Sequence, residues 1–345
     1  MNWISMALLM LLTAPIAALA AEDAPGESVE IAYREQVKNF WGEREATLHF
    51  VVSAKEAFAG ELNWSLHAAG RTLISRNSAI EVVAGGQTDV EVRYTLPAVK
   101  DAVVYPIELR VWTGAKGKAP TAELRDTVYL FGANPFADRA EWLKSLKIHL
   151  FDPEDKTADA FEKLEVPFGR VTNLAAIDDL HEEVLIIGED VEWKDYGELG
   201  PMLLSAAARG VSVLCLASAD AELALPAVKQ GEPGVVTRLS FRQTDVIHDF
   251  DKRLSLQWTG EHAAIYRSLA LVAENDQVLA RAAEPESGWP WMEVRFAQRD
   301  NQSSALVWCG LGLIRSWEES PTPRYLLLNW LEKSAQHKDQ GQKER

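Results

Sequence analysis

The sequence predicts a β-sandwich of immunoglobulin- or fibronectin-like type over residues 29–132, followed by a three-layer α/β domain with a doubly wound, mostly parallel sheet over residues 140–335. Three observations predict it. The first third of the chain is built of short runs in which apolar and polar residues alternate, the period of a strand with one wet face. Past residue 140 the strand-like runs become almost continuously apolar, as expected of strands covered on both faces. Those later runs alternate with amphipathic helical stretches, which places helices on both sides of a largely parallel sheet.

In the first unit the strand-like runs are 47–52, 60–66, 89–94, 105–112 and 126–130, with Gly85, Gly86, Gly114 and Gly117 as turn positions between them. Short strands at this spacing suit a sandwich. Such a domain serves as a spacer or binding module, and it carries no catalytic cluster. The link at 132–136, with Gly132 and Pro135, ends the last strand. A strand follows at 146–151, then a helix at 155–165 with Ala158, Phe161 and Leu164 on one face. Residues 183–188 and 211–216 read as buried strands, joined by a helix at 199–209 that Gly210 stops. Longer, more polar strands are expected at 234–241, 266–273, 292–298 and 304–311. A closing helix spans 323–333, and the polar tail 336–345 reads as disordered.

Composition narrows the function. Acids outnumber bases 51 to 35, for a formal net charge of −16, which argues against nucleic acid and against an anionic membrane surface as partners. Residues 1–20 read as a signal peptide: an apolar run at 6–12, Pro15, then Ala18-Leu19-Ala20 as a small-x-small cleavage site. The expected product is an exported chain, periplasmic or extracellular, with no integral membrane segment in its mature part. Only Cys215 and Cys309 are available for a disulfide, and both lie in apolar strand-like runs, which favours two buried thiols.

Four stretches carry a family resemblance: the strand at 184–188, the helix–glycine–strand step at 203–214, the runs at 291–296 and 305–311, and the helix at 323–331. Together they resemble the class I glutamine amidotransferase-like fold, a flavodoxin-like doubly wound sheet, in the non-catalytic form found in exported glycoside-hydrolase-associated bacterial proteins. In active members a cysteine sits on a tight strand-to-helix elbow flanked by glycines, with a His and, two residues later, a Glu as partners. Cys215 stands at the elbow position, but Leu214 and Leu216 flank it, and Ser212 and Ala217 stand where glycine would help. No histidine lies between His262 and His337, so the expected base is missing. The resemblance therefore implies a pseudoenzyme with a structural Cys215.

Other residues offer alternatives. Glu189 and Asp190 follow the strand at the carboxyl edge of the sheet, where open α/β sheets bind ligands. Two acids there suit general acid–base hydrolysis of a glycoside, although adjacent carboxylates seldom face each other across a sugar. Twelve tryptophans are present, and Trp193, Trp258, Trp289 and Trp291 lie near expected loops, where an exposed indole would stack on a sugar ring. Packing is the plainer role for them. His248, Asp249 and Asp251 lack the spaced ligand pairs of a zinc site and read as a solvated loop. No cofactor or metal is implied. The sequence points to an exported, non-catalytic binding or assembly protein whose ligand is a carbohydrate or another envelope protein. The alternative is a hydrolase, either a thiol amidase using Cys215 or a carbohydrate-active enzyme using Glu189 and Asp190.

Overall fold

The computed structural model describes residues 29–34, 37–114, 120–217, 221–225, 235–256, 269–272, 278–281, 289–297 and 303–343. The expected signal peptide and Trp258 lie outside them. The described chain is rich in β-structure, with antiparallel and mixed sheets and a smaller helical content.

The first eight strands are β1 (Val29–Tyr33), β2 (Asn39–Trp41), β3 (Glu45–Ala54), β4 (Phe58–Ala68), β5 (Arg71–Val82), β6 (Gly86–Thr95), β7 (Val104–Gly114) and β8 (Ala122–Phe131). They form one sheet in the order β1-β3-β6 and a second in the order β2-β8-β7-β4-β5. All pairs are antiparallel except β2 with β8. Alternation does the sorting. Leu48, Phe50 and Val52 of β3 and Val90 and Val92 of β6 share one core with Leu62, Trp64 and Leu66 of β4 and Ile107, Leu109 and Val111 of β7. Inside it, the rings of Trp64 and Tyr94 lie 5.1 Å apart.

The chain then forms α1 (Ala140–Leu146), β9 (Ile148–Phe151), α2 (Lys156–Lys163), β10 (Gly169–Arg170), β11 (Val184–Ile187), α3 (Leu199–Ala208), β12 (Ser212–Cys215) and β13 (Ala221–Ala224). After them come β14 (Val236–Arg242), α4 (Val246–Phe250), β15 (Leu269–Val272), β16 (Val278–Arg281), β17 (Trp291–Ala297), β18 (Ser303–Cys309) and α5 (Pro321–Lys343). A seven-stranded sheet has the order β10-β9-β11-β12-β18-β17-β14. Its first five strands are parallel, and β17 and β14 are added antiparallel. Strands β13, β15 and β16 make a separate small sheet.

Both faces of the large sheet are covered. Residues Leu150, Ile186, Leu214 and Val307 pack with α1, α2 and α5 on one side. On the other, Leu185, Ile187, Val213 and Trp308 pack with α3. That double cover explains why all four residues of β11 are buried. Helix α3 ends where the glycine rule placed it: Gly210 has φ +110°, and the amides of Gly210 and Val211 donate to the carbonyls of Ala207 and Ala206 at 3.0 and 3.1 Å.

Two expectations are corrected. The terminal stretch read as disordered from residue 336 is helical, because α5 continues through Lys343; the Gln and Lys residues there are good helix formers, and the helix is already anchored by its buried first turns. The stretch around His248 is helical rather than a loop. Its acids do not gather round the histidine, since Asp249 pairs with Arg242 and Asp251 with Arg253.

The two parts of the chain meet across a continuous core. Trp41 and Phe131 belong to the same apolar cluster as Tyr325, Leu328 and Trp317. Arg324 is only 3% exposed at this junction. Its guanidinium carbon lies 4.7 Å from the Trp41 ring centroid and 5.7 Å from that of Trp317. Nε donates to the Trp317 carbonyl and Nη1 to the Ala133 carbonyl, both at 2.7 Å, and Nη2 pairs with Glu318. Asn39 Nδ2 donates to Thr322 Oγ1 at 2.8 Å, and Tyr325 Oη donates to the Gly132 carbonyl at 3.2 Å.

Candidate functional site

The carboxyl edge of β9, β11, β12 and β18 brings together Asp152, Gly188, Glu189, Asp190, Cys215 and the chain after Cys309. Glu189 is 2% exposed. Its Oε2 accepts from the Ile314 amide at 2.7 Å and its Oε1 from the Arg315 amide at 3.0 Å. Its own amide donates to Thr157 Oγ1 at 3.0 Å. Burial pushes its pKa up to about 7; the two amides pull the other way, and the neighbouring Asp190 charge adds to the rise.

Asp190 takes a left-handed backbone conformation, φ +69°, one that Asp tolerates better than most residues. Its amide donates to the Ala217 carbonyl at 2.8 Å, and its carboxylate pairs with Lys156 at 3.1 Å. The two acids therefore do not oppose each other over a groove. Glu189 is turned inward to hold the segment after β18, and Asp190 engages a lysine, so the acid-pair arrangement of a glycosidase is not formed.

Sequence reasoning missed Asp152, at the end of β9. Its Oδ2 accepts from the Ala158 amide at 2.9 Å, within the first turns of α2, while buried Oδ1 has no partner. Burial raises its pKa, against the backbone hydrogen bonds from Ala158 and Thr157. Gly188 makes this possible: a Cβ there would stand 2.6 Å from Asp152 Oδ1. The only signal in the sequence was an acid directly after a buried strand.

Cys215 is fully buried, and burial drives its thiol well above the ordinary range. It is paired in register with Trp308, and both lie in the core on the α3 side. Cys309, one residue further along β18, lies in the core on the opposite side. Burial pushes its thiol up to about 12. The alternation of the sheet thus keeps the two sulfurs on opposite faces, and both are free thiols. In the native protein, neither cysteine is expected to react with iodoacetamide. Both should react after unfolding without a reductant, as read by peptide mass. Rapid native labelling of Cys215 would contradict this burial.

Two of the tryptophans are corrected as well. Trp193 is 6% and Trp291 3% exposed, so neither offers a face to a sugar. Trp291 opens β17 opposite Cys309 and packs on Phe250 at 5.3 Å. Trp289 is half-buried beside Phe241 at 6.2 Å. Among the described residues, no helix is long and apolar enough to cross a membrane.

No family model and no curated protein matches the chain. Solved structures show weak likenesses. A cycloisomaltooligosaccharide glucanotransferase from Paenibacillus sp. is 10% identical over 55% of this chain and 28% of its own, with TM-score 0.26. The sporulation control protein Spo0M of Bacillus subtilis is 13% identical over 40% and 55%, with TM-score 0.24. A β-glucosidase from Listeria innocua in complex with glucose is 14% identical over 30% and 16%, with TM-score 0.23. The chain spans less than two thirds of the length of each, and at these scores the likenesses assign neither fold nor function.

Proposed function

We propose that this is an exported, non-catalytic binding or assembly protein, in which an immunoglobulin- or fibronectin-like sandwich carries a degenerate class I glutamine amidotransferase-like domain. The observation that carries the reading is the state of Cys215. At the position where the resembling enzymes expose a nucleophile, this chain has a thiol with no exposed surface and a raised pKa. The parallel run β10-β9-β11-β12-β18, covered on both faces, supports the α/β part of this reading. The ligand is a carbohydrate or an envelope protein, recognised away from the buried tryptophans.

The hydrolase alternative draws on Glu189, whose raised pKa is that of a general acid. Its burial and its two backbone partners leave it no approach to a substrate. The test compares the wild-type protein with Cys215→Ser and Glu189→Gln in assays of ammonia release from glutamine and of reducing-sugar release from soluble polysaccharides. No turnover by any of them is expected. Turnover by the wild type that one substitution abolishes would replace this reading with the enzyme that residue serves.

A further inference from the structure

A cavity of about 490 Å³ opens where the antiparallel unit meets the segment of α4. Its volume falls within the ordinary range of small-ligand pockets, and junctions between packed units are a common place for them. Tyr33 from β1 and Tyr129 from β8 supply aromatic walls, and Leu254 and Leu256 add apolar surface. Around these stand three cations, Lys38, Lys252 and Arg253, against one lining carboxylate, Asp126. In a chain of net charge −16 a lining of this sign is unusual.

The partners already taken decide which groups remain for a ligand. Lys38 pairs with Asp126 at 2.7 Å. Arg253 gives Nε and Nη2 to Asp251 at 2.9 and 2.7 Å, leaving Nη1 without a partner among the described residues. Tyr33 Oη donates to the Val37 carbonyl at 2.9 Å. Among the described residues, Lys252 and His248 make no ion pair or side-chain hydrogen bond, and the Tyr129 hydroxyl makes none. The pocket therefore offers one free ammonium, one free imidazole, one guanidinium edge and one free phenol, arranged round two aromatic rings.

From this arrangement we infer that the cavity binds a uronate, a sugar ring carrying a carboxylate, at the junction of the two parts of the chain. The inference rests on the carbohydrate limb of the proposed function. A carboxylate is matched by the Lys252 ammonium and the Nη1 edge of Arg253, both donors of charge-assisted hydrogen bonds. A sugar ring is matched by the tyrosine faces, which accept its C–H surface. Asp126, held by Lys38, keeps acceptor lone pairs in the wall that suit ring hydroxyls.

The test is calorimetric titration of the full chain with trisaccharides of galacturonate, mannuronate and glucuronate, each beside its methyl ester. The ester keeps the ring and removes the charge. At least one acid is expected to bind at least tenfold more tightly than its ester, with affinity falling as salt rises. Lys252→Ala, at an exposed position, should weaken that binding at least tenfold and leave the melting temperature unchanged. Tyr129→Phe should weaken it less, because the ring stays. Binding by none of the three acids, equal binding of acid and ester, or full affinity in Lys252→Ala each overturns the site. Calorimetric binding of a neutral oligosaccharide by the wild type, with no uronate bound, would overturn the site while leaving the broader carbohydrate reading standing. Loss of all glycan binding would remove that limb too.

Discussion

Replacing Arg324 with alanine is expected to produce the largest loss of stability of any single substitution at the junction, about 3–5 kcal/mol. The side chain is 3% exposed and fills the space between the rings of Trp41 and Trp317. Two carbonyls depend on it, those of Trp317 and Ala133, and it shares the Glu318 carboxylate with Arg44. Burial draws the guanidinium pKa down, and Glu318 holds it up, so the charge is tolerated only because it is paired. Truncation removes the cation–π contacts, leaves two carbonyls without a donor, and opens a cavity between two indoles. Lysine is not expected to rescue it, because one ammonium cannot reproduce a planar fork that serves three acceptors. Urea denaturation of the wild type, Arg324→Ala and Arg324→Lys measures this; a loss below about 1 kcal/mol in the alanine variant would show that the junction does not depend on the arginine.

The second large effect is a dependence on pH carried by Glu189. Its native pKa is raised to about 7 from an ordinary 4.5. Between those values the native state holds a proton that the unfolded chain has released. Stability from this group is therefore fully present below about pH 4.5 and is lost as pH rises through about 7, by about 3 kcal/mol in all. Asp152 is shifted in the same direction, while the exposed pairs Glu91–Arg93 and Glu108–Arg110 act oppositely at more acid pH. A double difference separates them. Wild type and Glu189→Gln are unfolded in urea at pH 4.5 and at pH 7.5. The stability advantage of the wild type should be about 3 kcal/mol smaller at the higher pH, because glutamine does not ionise. A constant difference would show that Glu189 does not titrate in this window.

The elements whose local pattern and final environment agree were legible in the sequence. β3 and β6 alternate because one face is covered, and β11 is apolar throughout because both are. The stop at Gly210 is a local backbone requirement, readable without any partner. The tryptophans near expected loops were harder to place. Trp291 stands one residue after a proline, and only its register against Cys309 places it in the core. β2, three residues long, and the continuation of α5 beyond residue 333 left no clear periodic signal. At the candidate site, Glu189 was visible as an acid at a strand end, but its function as a clasp for Ile314 and Arg315 depends on a contact more than 120 residues away. The uronate pocket draws on residues from 33 to 256, and sequence spacing carries no trace of such an assembly.

The apolar cluster that runs from Trp41 and Phe131 into α5 has a consequence for how this chain can be divided. A cut in the link between the two parts would not release two self-contained modules. Each piece would keep a raw hydrophobic wall, with Phe131 bare on one and Tyr325 and Trp317 bare on the other. The eight-stranded part is thus no interchangeable stalk.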